Sequence, residues 1–449
     1  MAEPAEQQTL SGWGRRTRSV SRVCEVAPDA VGAHILQGPA RGVLARGLGR
    51  SYGDAAQNAG GMVVRLDAGA IELDLATRQV TTSAGTSLAE LAAALLARGT
   101  YLAVSPGTLH VTVGGAIASD VHGKNHHRGG SFADHVVGME LVGGDGRPTW
   151  LTPADELFWA TCGGMGLTGV ITRATLRVIV VESAWVLARS ERADDIEATY
   201  GLLREADRTA EYSVAWLDLT AAGSALGRSV VHSGRHARAA ELAGAASRAR
   251  WRPVGASRLT VPAGLPAPLI SPATTRLFNE AWFRKAPASP RTHLQHLQGF
   301  FYPLDAVGEW NRAYGRRGFL QYQFVVPDEA TDVVTSIVGE LVATRRGSFL
   351  NVLKRLGPGN AGHLSFPRPG WTLAVDLPGG SDLGQLLRRW DALILSAGGR
   401  VYLTKDGRLS PEMFRAMYPR WQEFEQVREA TGARGRFVSD LARRLKLEG

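Results

Sequence analysis

The stretch Thr112–Ser131, TVGGAIASDVHGKNHHRGGS, is dominated by small and polar residues. It holds five glycines, three histidines, a lysine and an arginine, with few bulky apolar side chains. Because it offers little to a hydrophobic core, we expect its glycines to let the backbone approach a ligand that the polar side chains then surround. Five of the eleven histidines lie in or beside it: His110, His122, His126, His127 and His135. The sequence therefore predicts a ligand site here.

Length and composition indicate a globular protein of two or more domains. The chain has 449 residues, of which 44% are hydrophobic and 21% charged. No apolar run approaches the roughly 20 residues that span a bilayer, and the N-terminus does not resemble a secretory signal. Cys24 and Cys162 are the only cysteines, which is typical of a reducing compartment and argues against a structural disulfide. We therefore expect a cytoplasmic protein.

The net charge of +9 favours an anionic partner, such as phosphate groups or an acidic membrane surface. The basic residues are spread along the chain rather than interleaved with aromatics in one tract, so we expect no nucleic-acid partner. The alternative, that abundant Ala and Arg merely reflect the base composition of the genome, stays open.

Residues 42–182 alternate between short strand-like runs and glycine turns. The predicted strands are GVLAR (42–46), MVVRLD (62–67), IELDL (71–75), QVTTSA (79–84), VVGMELVGG (136–144) and VITRATLRVIVVE (170–182). One helix interrupts them, because Ser87 and Glu90 form a capping box ahead of an apolar helical face that Gly99 ends.

Between residues 184 and 399, helical and strand-like stretches alternate. We predict helices at 196–209 and 236–250, and strands at 213–220, 319–327 and 371–378. The proline-rich run 259–276 is predicted to be a long loop or a mobile lid. A strand-like segment, VYLTKD (401–406), precedes an aromatic-rich helix from Pro411 and an amphipathic C-terminal helix.

A second glycine-rich motif, ARGLGRSYGD (45–54), follows a predicted strand. Its spacing, G-x-G-x-x-x-G, differs from the Rossmann fingerprint, and a strand rather than a helix comes next. We interpret it as a loop whose backbone N–H groups bind a pyrophosphate, aided by Arg46, Arg50 and Ser51. A glycine-rich hairpin loop without a ligand is the alternative.

The histidines His122, His126 and His127 raise the alternative of a zinc site. No Cys or Glu lies nearby, and adjacent histidines on an extended chain point to opposite sides. We therefore favour a second cofactor-binding loop, with His122 and Lys124 beside the reactive part of the ligand. The residues expected to approach the ligand are Gly107, Thr112, Gly114 and Gly115.

Two further features involve polar side chains in apolar surroundings. In FLQYQFVVP (319–327), period-two alternation places Gln321 and Gln323 on one face of a strand. A buried carboxamide without a partner costs about 1–3 kcal/mol, so the pair indicates either a polyhydroxylated ligand or an internal hydrogen-bond network. Lys405, near the end of VYLTKD, is either a surface charge or part of the site.

Six segments, distributed along nearly the whole chain, carry the motifs described above and further motifs of the same kind. They are ARGLGRSYGD, PGTLHVTVGGAIASDVHGKNHH, FWATCGGMGLTG, GEWNRAYGRRGFLQYQFVVP, GPGN followed by LSFP, and YLTKDGR. In this order they resemble the decaprenylphosphoryl-β-D-ribose 2-oxidase family of vanillyl-alcohol-oxidase-like flavoproteins. The resemblance extends from SGWGRRTRS (11–19) to SDLARRL (439–445).

The resemblance implies an α+β fold of two domains. Residues 1–183 and 400–449 would form an FAD-binding domain of the PCMH/VAO type, and residues 184–399 an inserted mixed α/β substrate domain on an antiparallel sheet. FAD would take a hydride from C2 of the ribose in a polyprenylphosphoryl-β-D-ribose, which gives the 2-keto sugar. A separate short-chain dehydrogenase would reduce that ketone to the arabinose epimer used for cell-wall arabinan. The lipid substrate implies peripheral contact with the cytoplasmic membrane.

The resemblance also assigns residues. The FAD-contacting positions are Arg46, Gly47, Leu48, Gly49, Arg50, Ser51, Tyr52, Gly53, Asp54, Ala55, Gly107, Thr112, Val113, Gly114, Gly115, Ser119, Asp120, Val121, His122, Ile171 and Tyr402. The positions on the substrate side are Tyr52, His122, Lys124, Gln321, Gln323, Lys354, Thr372 and Lys405. Lys405 is the first candidate for polarising the reacting oxygen, with His122 and Tyr52 as alternatives. Lys124 and Lys354 are the candidates for holding the substrate phosphate.

The sequence departs from the family pattern at two places. Related flavoproteins that attach FAD covalently use a histidine at about the position of Arg50, so we expect non-covalent FAD. Thr372 and Ala374 stand where mycobacterial members carry Asn and Cys, which leaves the sugar specificity open and predicts insensitivity to inhibitors that modify that thiol. The alternative functions are a soluble aldonolactone or alditol oxidase of the same superfamily that uses O2, and a non-catalytic nucleotide-binding protein.

Overall fold

The computed structural model describes residues 6–254, 257, 259–264, 269–380 and 383–447. Its strands are β1 (Glu6–Ser11), β2 (Arg18–Val26), β3 (Val43–Ala45), β4 (Met62–Leu66), β5 (Ile71–Asp74), β6 (Gln79–Ser83), β7 (Thr100–Leu102), β8 (Val136–Val142), β9 (Pro148–Leu151), β10 (Val170–Val180), β11 (Trp185–Ala193), β12 (Tyr212–Leu217), β13 (Ser229–His236), β14 (Leu259–Thr260), β15 (Arg291–His296), β16 (Val307–Gly308), β17 (Phe319–Val326), β18 (Asn351–Leu356), β19 (Gly370–Pro378) and β20 (Arg400–Val401).

The helices complete an α+β fold. They are α1 (Val31–Leu36), α2 (Leu88–Leu96), α3 (Val113–Ala118), α4 (His126–Gly129), α5 (Glu156–Thr161), α6 (Ile196–Thr209), α7 (Gly244–Arg248), α8 (Pro272–Lys285), α9 (Leu297–Phe301), α10 (Thr331–Ala343), α11 (Leu383–Ser396), α12 (Pro411–Met417), α13 (Trp421–Ala430) and α14 (Asp440–Leu445). None of the helices in the described ranges is long and apolar enough to cross a membrane.

Two sheets form the N-terminal part of the described chain. One has the order β1-β2-β4-β3, with β4 parallel to both β2 and β3. The other has the order β5-β6-β10-β8-β9, with β7 also paired to β10, and its pairs are antiparallel. The six strands predicted between residues 42 and 182 are confirmed, as is helix α2 with its capping box, in which the Ser87 hydroxyl accepts from the Glu90 N–H.

The third sheet runs β15-β11-β13-β12-β18-β19-β17-β20 with antiparallel neighbours, which confirms the expected antiparallel sheet. Helices α6, α10 and α11 pack against it. On β17, Leu320, Tyr322 and Phe324 belong to the core shared with these helices. Gln321 and Gln323 alternate with them and therefore face the opposite side, as predicted. The proposed domain boundaries at residues 183 and 400 stay a prediction.

Some predicted elements are wrong. The helix predicted at 236–250 is reduced to α7, because β13 continues to His236 through pairing with Val186 and because Gly244 has a φ of +56°. The predicted strand VYLTKD ends at Val401, since a turn closed by the Lys405 N–H to Tyr402 carbonyl bond (3.0 Å) follows.

The 259–276 run is not one continuous loop. Its first two residues form β14, which pairs in parallel with β16, and α8 begins at Pro272 behind the N-cap Ser271. Residues 265–268 of the predicted loop or lid lie outside the described residues. Helix α8 and strand β15 were not predicted at all, because the prolines on both sides of α8 obscured its start and end.

The glycine-rich stretch Thr112–Ser131 also contributes to a core, contrary to expectation. Thr112 caps helix α3 by accepting a hydrogen bond from the Gly115 N–H (3.1 Å), and Val113 and Ile117 are fully buried. Close packing of small residues makes this possible: a β-carbon on Gly114 would lie 3.0 Å from that of Ala84. His126 likewise begins the short helix α4 instead of an extended segment.

The two ends of the chain meet at a buried ion network. Arg444 donates to both carboxylate oxygens of Asp54 (2.8 Å each) and contacts Asp406 (2.9 Å). The backbone joins the same regions, since the Val438 N–H donates to the Val43 carbonyl (3.1 Å). The C-terminal helix is thereby fixed to the ARGLGRSYGD loop.

The Arg444→Met substitution should leave two buried carboxylates without their partner. Breaking a buried ion pair costs about 3–5 kcal/mol, so we expect the free energy of unfolding to fall by about that amount in denaturant titrations of the protein. The matched control is Arg208→Met, because the Arg208 side chain is 73% exposed and pairs with Glu205 on the surface. Equal losses of stability in the two variants would contradict the role of the network.

Candidate active site

A cavity of about 510 Å³ lies between the two glycine-rich loops and the polar face of the eight-stranded sheet. Its size and its mixture of apolar and polar walls are typical of a small-molecule or cofactor site. The predicted site residues that line it are Arg46, Gly47, Leu48, Gly49, Arg50, Ser51, Tyr52, Ala55, Gly107, Thr112, Gly114, Gly115, Ser119, Val121, His122, Lys124, Ile171, Gln321, Gln323, Lys354, Tyr402 and Lys405.

The remaining predicted positions lie behind the cavity wall. They are Gly53, Asp54, Val113, Asp120 and Thr372. Asp120 is fully buried, and its carboxylate accepts hydrogen bonds from Asn360 (2.9 Å) and Ser365 (2.5 Å). The Thr372 hydroxyl accepts from the Gln323 amide (3.1 Å), so it contacts a cavity residue without lining the cavity itself.

The ARGLGRSYGD loop is held by its first arginine. Arg46 donates to the backbone carbonyls of Ala56 (2.6 Å) and Ser11 (2.8 Å). The loop lies against the second glycine stretch so closely that a β-carbon on Gly47 would come within 2.3 Å of the Thr112 hydroxyl. The two glycine-rich motifs therefore form one continuous wall of the cavity. The sequence predicted that both motifs bind a ligand, but not how they contact each other.

Arg50 supplies a donor that the protein itself does not satisfy. Its guanidinium lies 3.7 Å from the centre of the Trp13 ring, and its buried Nε has no hydrogen-bond partner among the described residues. A buried donor left unpaired costs about 1–3 kcal/mol. An oxygen atom of a bound cofactor would satisfy this donor, so the cavity fits the phosphate- and carbonyl-rich FAD expected from the sequence.

Lys405 sits among polar groups at the opposite wall. Its ammonium donates to the Gln321 amide oxygen and lies 4.4 Å from the centre of the Tyr52 ring. Burial lowers the pKa of Lys405, opposed by the negative charge of Asp376. Burial also raises the pKa of Tyr52, so its phenol stays protonated.

Asp376 is a site residue that the sequence analysis missed. Its carboxylate accepts from the Gln321 amide N–H (2.6 Å) and from the Tyr314 hydroxyl (2.9 Å). Burial raises the pKa of Asp376 to about 7. Because the Gln321 N–H donates to this carboxyl group, the Gln321 amide oxygen faces Lys405. The alternation of Thr372, Ala374 and Asp376 along β19 indicates that these residues share one face of the strand. The register that places Asp376 opposite Gln321 cannot be predicted from the sequence.

His122 links the glycine stretch to the sheet. Its Nδ1 lies 3.0 Å from the Lys354 amine and its Nε2 2.9 Å from the Gln323 amide. Burial, followed by the positive charge of Lys354, holds the pKa of His122 well below its usual 6.5, so the ring is neutral at pH 7. Burial and the positive charges of Lys405 and Lys124 lower the pKa of Lys354 to about 7.

Lys124 provides a third buried amine. Burial lowers its pKa to about 7, and the amine donates to the Phe300 carbonyl and lies 4.7 Å from the centre of that ring. Lys124, Lys354 and Lys405 thus line one cavity with amines that exchange protons near neutral pH. Such a wall is suited to an anionic ligand.

The other histidines of the glycine stretch have separate partners. His126 Nδ1 accepts from the Gly357 N–H (3.0 Å), and His127 Nδ1 lies 3.6 Å from the Asp207 carboxylate. Within the described ranges, no group of three or more His, Cys, Asp or Glu side chains is arranged to hold a metal ion. Cys24 and Cys162 are both buried free thiols.

Comparison with known proteins agrees with this site. A family profile described as an FAD binding domain matches residues 37–152, which include both glycine-rich motifs. The decaprenylphosphoryl-beta-D-ribose oxidase of Mycolicibacterium smegmatis is 42% identical over 99% of this chain and 98% of its own length. The chain belongs to the decaprenylphosphoryl-β-D-ribose oxidase family. It is an FAD-dependent oxidoreductase, which confirms the expected family and cofactor.

More distant relatives cover less of the chain. An uncharacterized protein of Streptomyces coelicolor is 38% identical over 80% of this chain and all of its own length. The alditol oxidase of a Streptomyces species is 30% identical over 37% of this chain and 41% of its own length. The oxidase family membership therefore rests on the full-length match, whereas the alditol oxidase match covers only part of the chain.

The Gly107→Val substitution tests the cofactor wall. A β-carbon at Gly107 would meet no protein atom within 4 Å although the residue lines the cavity. We therefore expect unchanged stability of the FAD-free protein but an FAD Kd raised at least about tenfold, since overfilling a packed site costs about 1–3 kcal/mol. Titration of flavin fluorescence measures the Kd.

The control for that experiment is Gly201→Val on α6, where a β-carbon also meets nothing within 4 Å and the cavity is not involved. An FAD Kd in the Gly107 variant equal to that of the control would show that FAD does not pass Gly107.

Proposed function

We propose that this protein oxidises the ribose C2 hydroxyl of a polyprenylphosphoryl-β-D-ribose to the 2-keto sugar. The observation that carries the proposal is that Lys405, bonded to Gln321, lines the same cavity as the amine-bearing residues Lys124 and Lys354. One set matches a sugar hydroxyl and the other a phosphate. The full-length similarity to a decaprenylphosphoryl-beta-D-ribose oxidase supports the same substrate class.

FAD, when bound, accepts the hydride that leaves C2. The two glycine-rich loops would hold it through the backbone of the ARGLGRSYGD motif and through the free Nε of Arg50. Because an arginine occupies the position where related proteins attach FAD to a histidine, we propose that FAD is bound non-covalently and is released into solution by acid precipitation.

Lys405 is proposed to polarise the C2 oxygen. A protonated amine stabilises the negative charge that develops on this oxygen as the C–H bond breaks, and Gln321 with Asp376 behind it holds the amine in place. His122 is proposed to accept the hydroxyl proton on the ring nitrogen that, in this structure, accepts a hydrogen bond from Gln323 or Lys354, since the ring is neutral. Tyr52 is not a base, because burial raises its pKa.

Lys124 and Lys354 are proposed to hold the phosphate that joins the ribose to the lipid. Gln323 lies between them and the C2 region, with its amide fixed by His122 and by the Thr372 hydroxyl. Thr372 is therefore proposed to influence the sugar through Gln323.

The 2-keto product implies a second enzyme. Epimerisation at C2 requires that a hydride be returned to the opposite face of the ketone, and we propose that a separate short-chain dehydrogenase performs this reduction and gives the arabinose donor for cell-wall arabinan. Since the substrate carries a polyprenyl tail, we also propose that the protein makes peripheral contact with the cytoplasmic membrane.

The Lys405→Met substitution tests the reaction. In anaerobic mixtures with farnesylphosphoryl-β-D-ribose, we expect the FAD of the unmodified protein to bleach, and the rate of bleaching to fall about 100-fold or more in the variant because the oxygen is no longer polarised. Stopped-flow absorbance measures the rate. The Lys446→Met variant is the control, since Lys446 is exposed at the end of α14.

Bleaching at the same rate in both variants would remove Lys405 from the mechanism. Turnover of free sugars with release of peroxide, without reduction by the lipid-linked sugar, would instead favour an alditol or aldonolactone oxidase.

The affinity for the lipid-linked sugar should depend on pH. The pKa values of Lys124 and Lys354 are both lowered to about 7, so these amines are charged below pH 7 and lose their charge above it. The phosphate diester stays negative throughout, so the apparent KM should rise between pH 6 and pH 9. The loss of each charge-assisted hydrogen bond should raise the apparent KM about tenfold.

Methyl β-D-ribofuranoside, which lacks the phosphate, should show a much smaller rise in steady-state assays. The Lys354→Met variant should flatten the curve for the phosphate substrate. Identical pH curves for the two substrates would place the phosphate elsewhere.

A further inference from the structure

The positive charge of this chain is concentrated in one segment. Residues 242–304, which we call the basic segment, contain eight Lys and Arg residues and a single acidic residue, Glu280. The segment thus accounts for +7 of the net charge of +9. We expected the basic residues to be spread along the chain. The local net charge is nevertheless high in this segment, because the segment has almost no acidic residues rather than a run of basic ones.

The same segment exposes large apolar side chains. Of the twelve large hydrophobic side chains that are exposed among the described residues, six lie in it: Trp251, Leu259, Leu269, Leu277, Phe278 and Trp282. Isolated exposed apolar residues are ordinary, but a contiguous group of them marks an interaction surface.

Helix α8 carries three of these six side chains. Its buried residues are Thr275, Asn279 and Phe283, and Asn279 donates to the buried Asp218 carboxylate (2.9 Å). Its outward side carries Leu277, which is 74% exposed, together with Phe278 and Trp282. Helix α8 thus turns two polar residues and one aromatic residue toward the protein and exposes three large apolar side chains, whereas a helix that packs on its own core buries most of its apolar residues.

Basic groups flank this apolar surface. Arg276, Arg284 and Lys285 are exposed on α8, and the Lys285 amine lies 5.6 Å from the centre of the Trp282 ring. Glu280 is already neutralised, because it pairs with Arg228 and Arg284 at 2.5 Å each. The surface is therefore both apolar and cationic.

The surface is continuous with the cavity. Trp282 lines the cavity wall, and the neighbouring Phe278 ring stacks on it at 5.9 Å and also contacts Phe349 at 5.7 Å. The exposed aromatic side chains of α8 are therefore in contact with the residues that line the cavity.

We propose that α8 docks the protein on an anionic lipid bilayer. Leu277, Phe278 and Trp282 enter the interface between headgroups and acyl chains, and the flanking basic side chains bind the anionic headgroups. A second copy of this chain fits the surface less well, because a symmetric dimer would bring two such cationic faces together. The use of this docking, delivery of a lipid-linked sugar to the cavity, rests on the proposed function, but the docking itself does not.

Sedimentation of the FAD-loaded protein with vesicles tests the proposal. We expect binding to phosphatidylcholine vesicles that contain phosphatidylglycerol to be at least about tenfold tighter than to phosphatidylcholine alone, and to weaken with salt. Leu277→Glu should lose at least about tenfold in affinity, and the double variant Arg276→Glu/Lys285→Glu should lose the preference for anionic vesicles. The control is Leu75→Glu, because Leu75 is also more than half exposed, at 53%, but lies in the turn after β5.

Two results would overturn the proposal: equal binding to the two kinds of vesicle, or equal binding by the Leu277 and Leu75 variants. A dimer seen by light scattering in the unmodified protein and lost in Leu277→Glu would do the same, because the surface would then join two copies.

A rate measurement separates docking from the proposed function. Leu277→Glu should bleach at the unmodified rate with farnesylphosphoryl ribose in solution but more slowly with a long-chain substrate in vesicles. Absence of bleaching with any such sugar would refute the proposed function and leave the vesicle result standing.

Discussion

The half-buried guanidinium of Arg444 makes the ion pairs on which the position of the site depends. It joins the C-terminal helix to Asp54 in the first glycine loop and to Asp406 in the turn after β20. That loop and that turn are in close contact, since a β-carbon on Gly53 would lie 1.8 Å from the Asp406 carbonyl oxygen. Lys405 immediately precedes Asp406, so the ion network that holds the ends of the chain together also sets the position of the proposed reactive amine.

A second constraint arises from burying several amines in one cavity. Lys124, Lys354 and Lys405 are half-buried, and burial lowers the pKa of each. Asp376 accepts from the Gln321 amide, whose oxygen accepts from Lys405. With so little negative charge of its own, the cavity favours ligands that bring it. A flavin dinucleotide and a phosphate-linked sugar both do so. The depressed pKa values follow from burial of the amines and, at Lys354, from the positive charges of Lys405 and Lys124.

The sequence predicted best those features that depend on local chemistry. The capping box at Ser87 and the alternation of Gln321 and Gln323 needed only neighbouring residues, and the structure confirms both. Features set by distant contacts were missed. Asp376 becomes a site residue only through the register between β17 and β19. The 236–250 run begins as the end of β13, because His236 pairs with Val186 of β11, and it is helical only over α7.

The glycine-rich stretch shows why even a correct site assignment can be incomplete. Its residues do line the cavity, yet Val113 and Ile117 also pack into the core, and Thr112 both caps α3 and lies against Gly47. Small residues allow both at once, because they let a helix, a loop and a ligand approach one another within a few ångströms. Composition alone cannot tell close packing against protein from close approach to a ligand.

The two departures at Thr372 and Ala374 can now be placed in the site. Ala374 lies opposite Gln323 in the sheet and lines the cavity, whereas Thr372 lies behind the wall and accepts from the Gln323 amide. The cavity wall therefore carries a methyl group at position 374, and the free thiols Cys24 and Cys162 are buried in the two cores instead. A reagent that depends on a cavity thiol has no target at this position. The threonine keeps a hydrogen bond to Gln323, so the orientation of that amide is preserved while the side chain itself is withdrawn from the sugar.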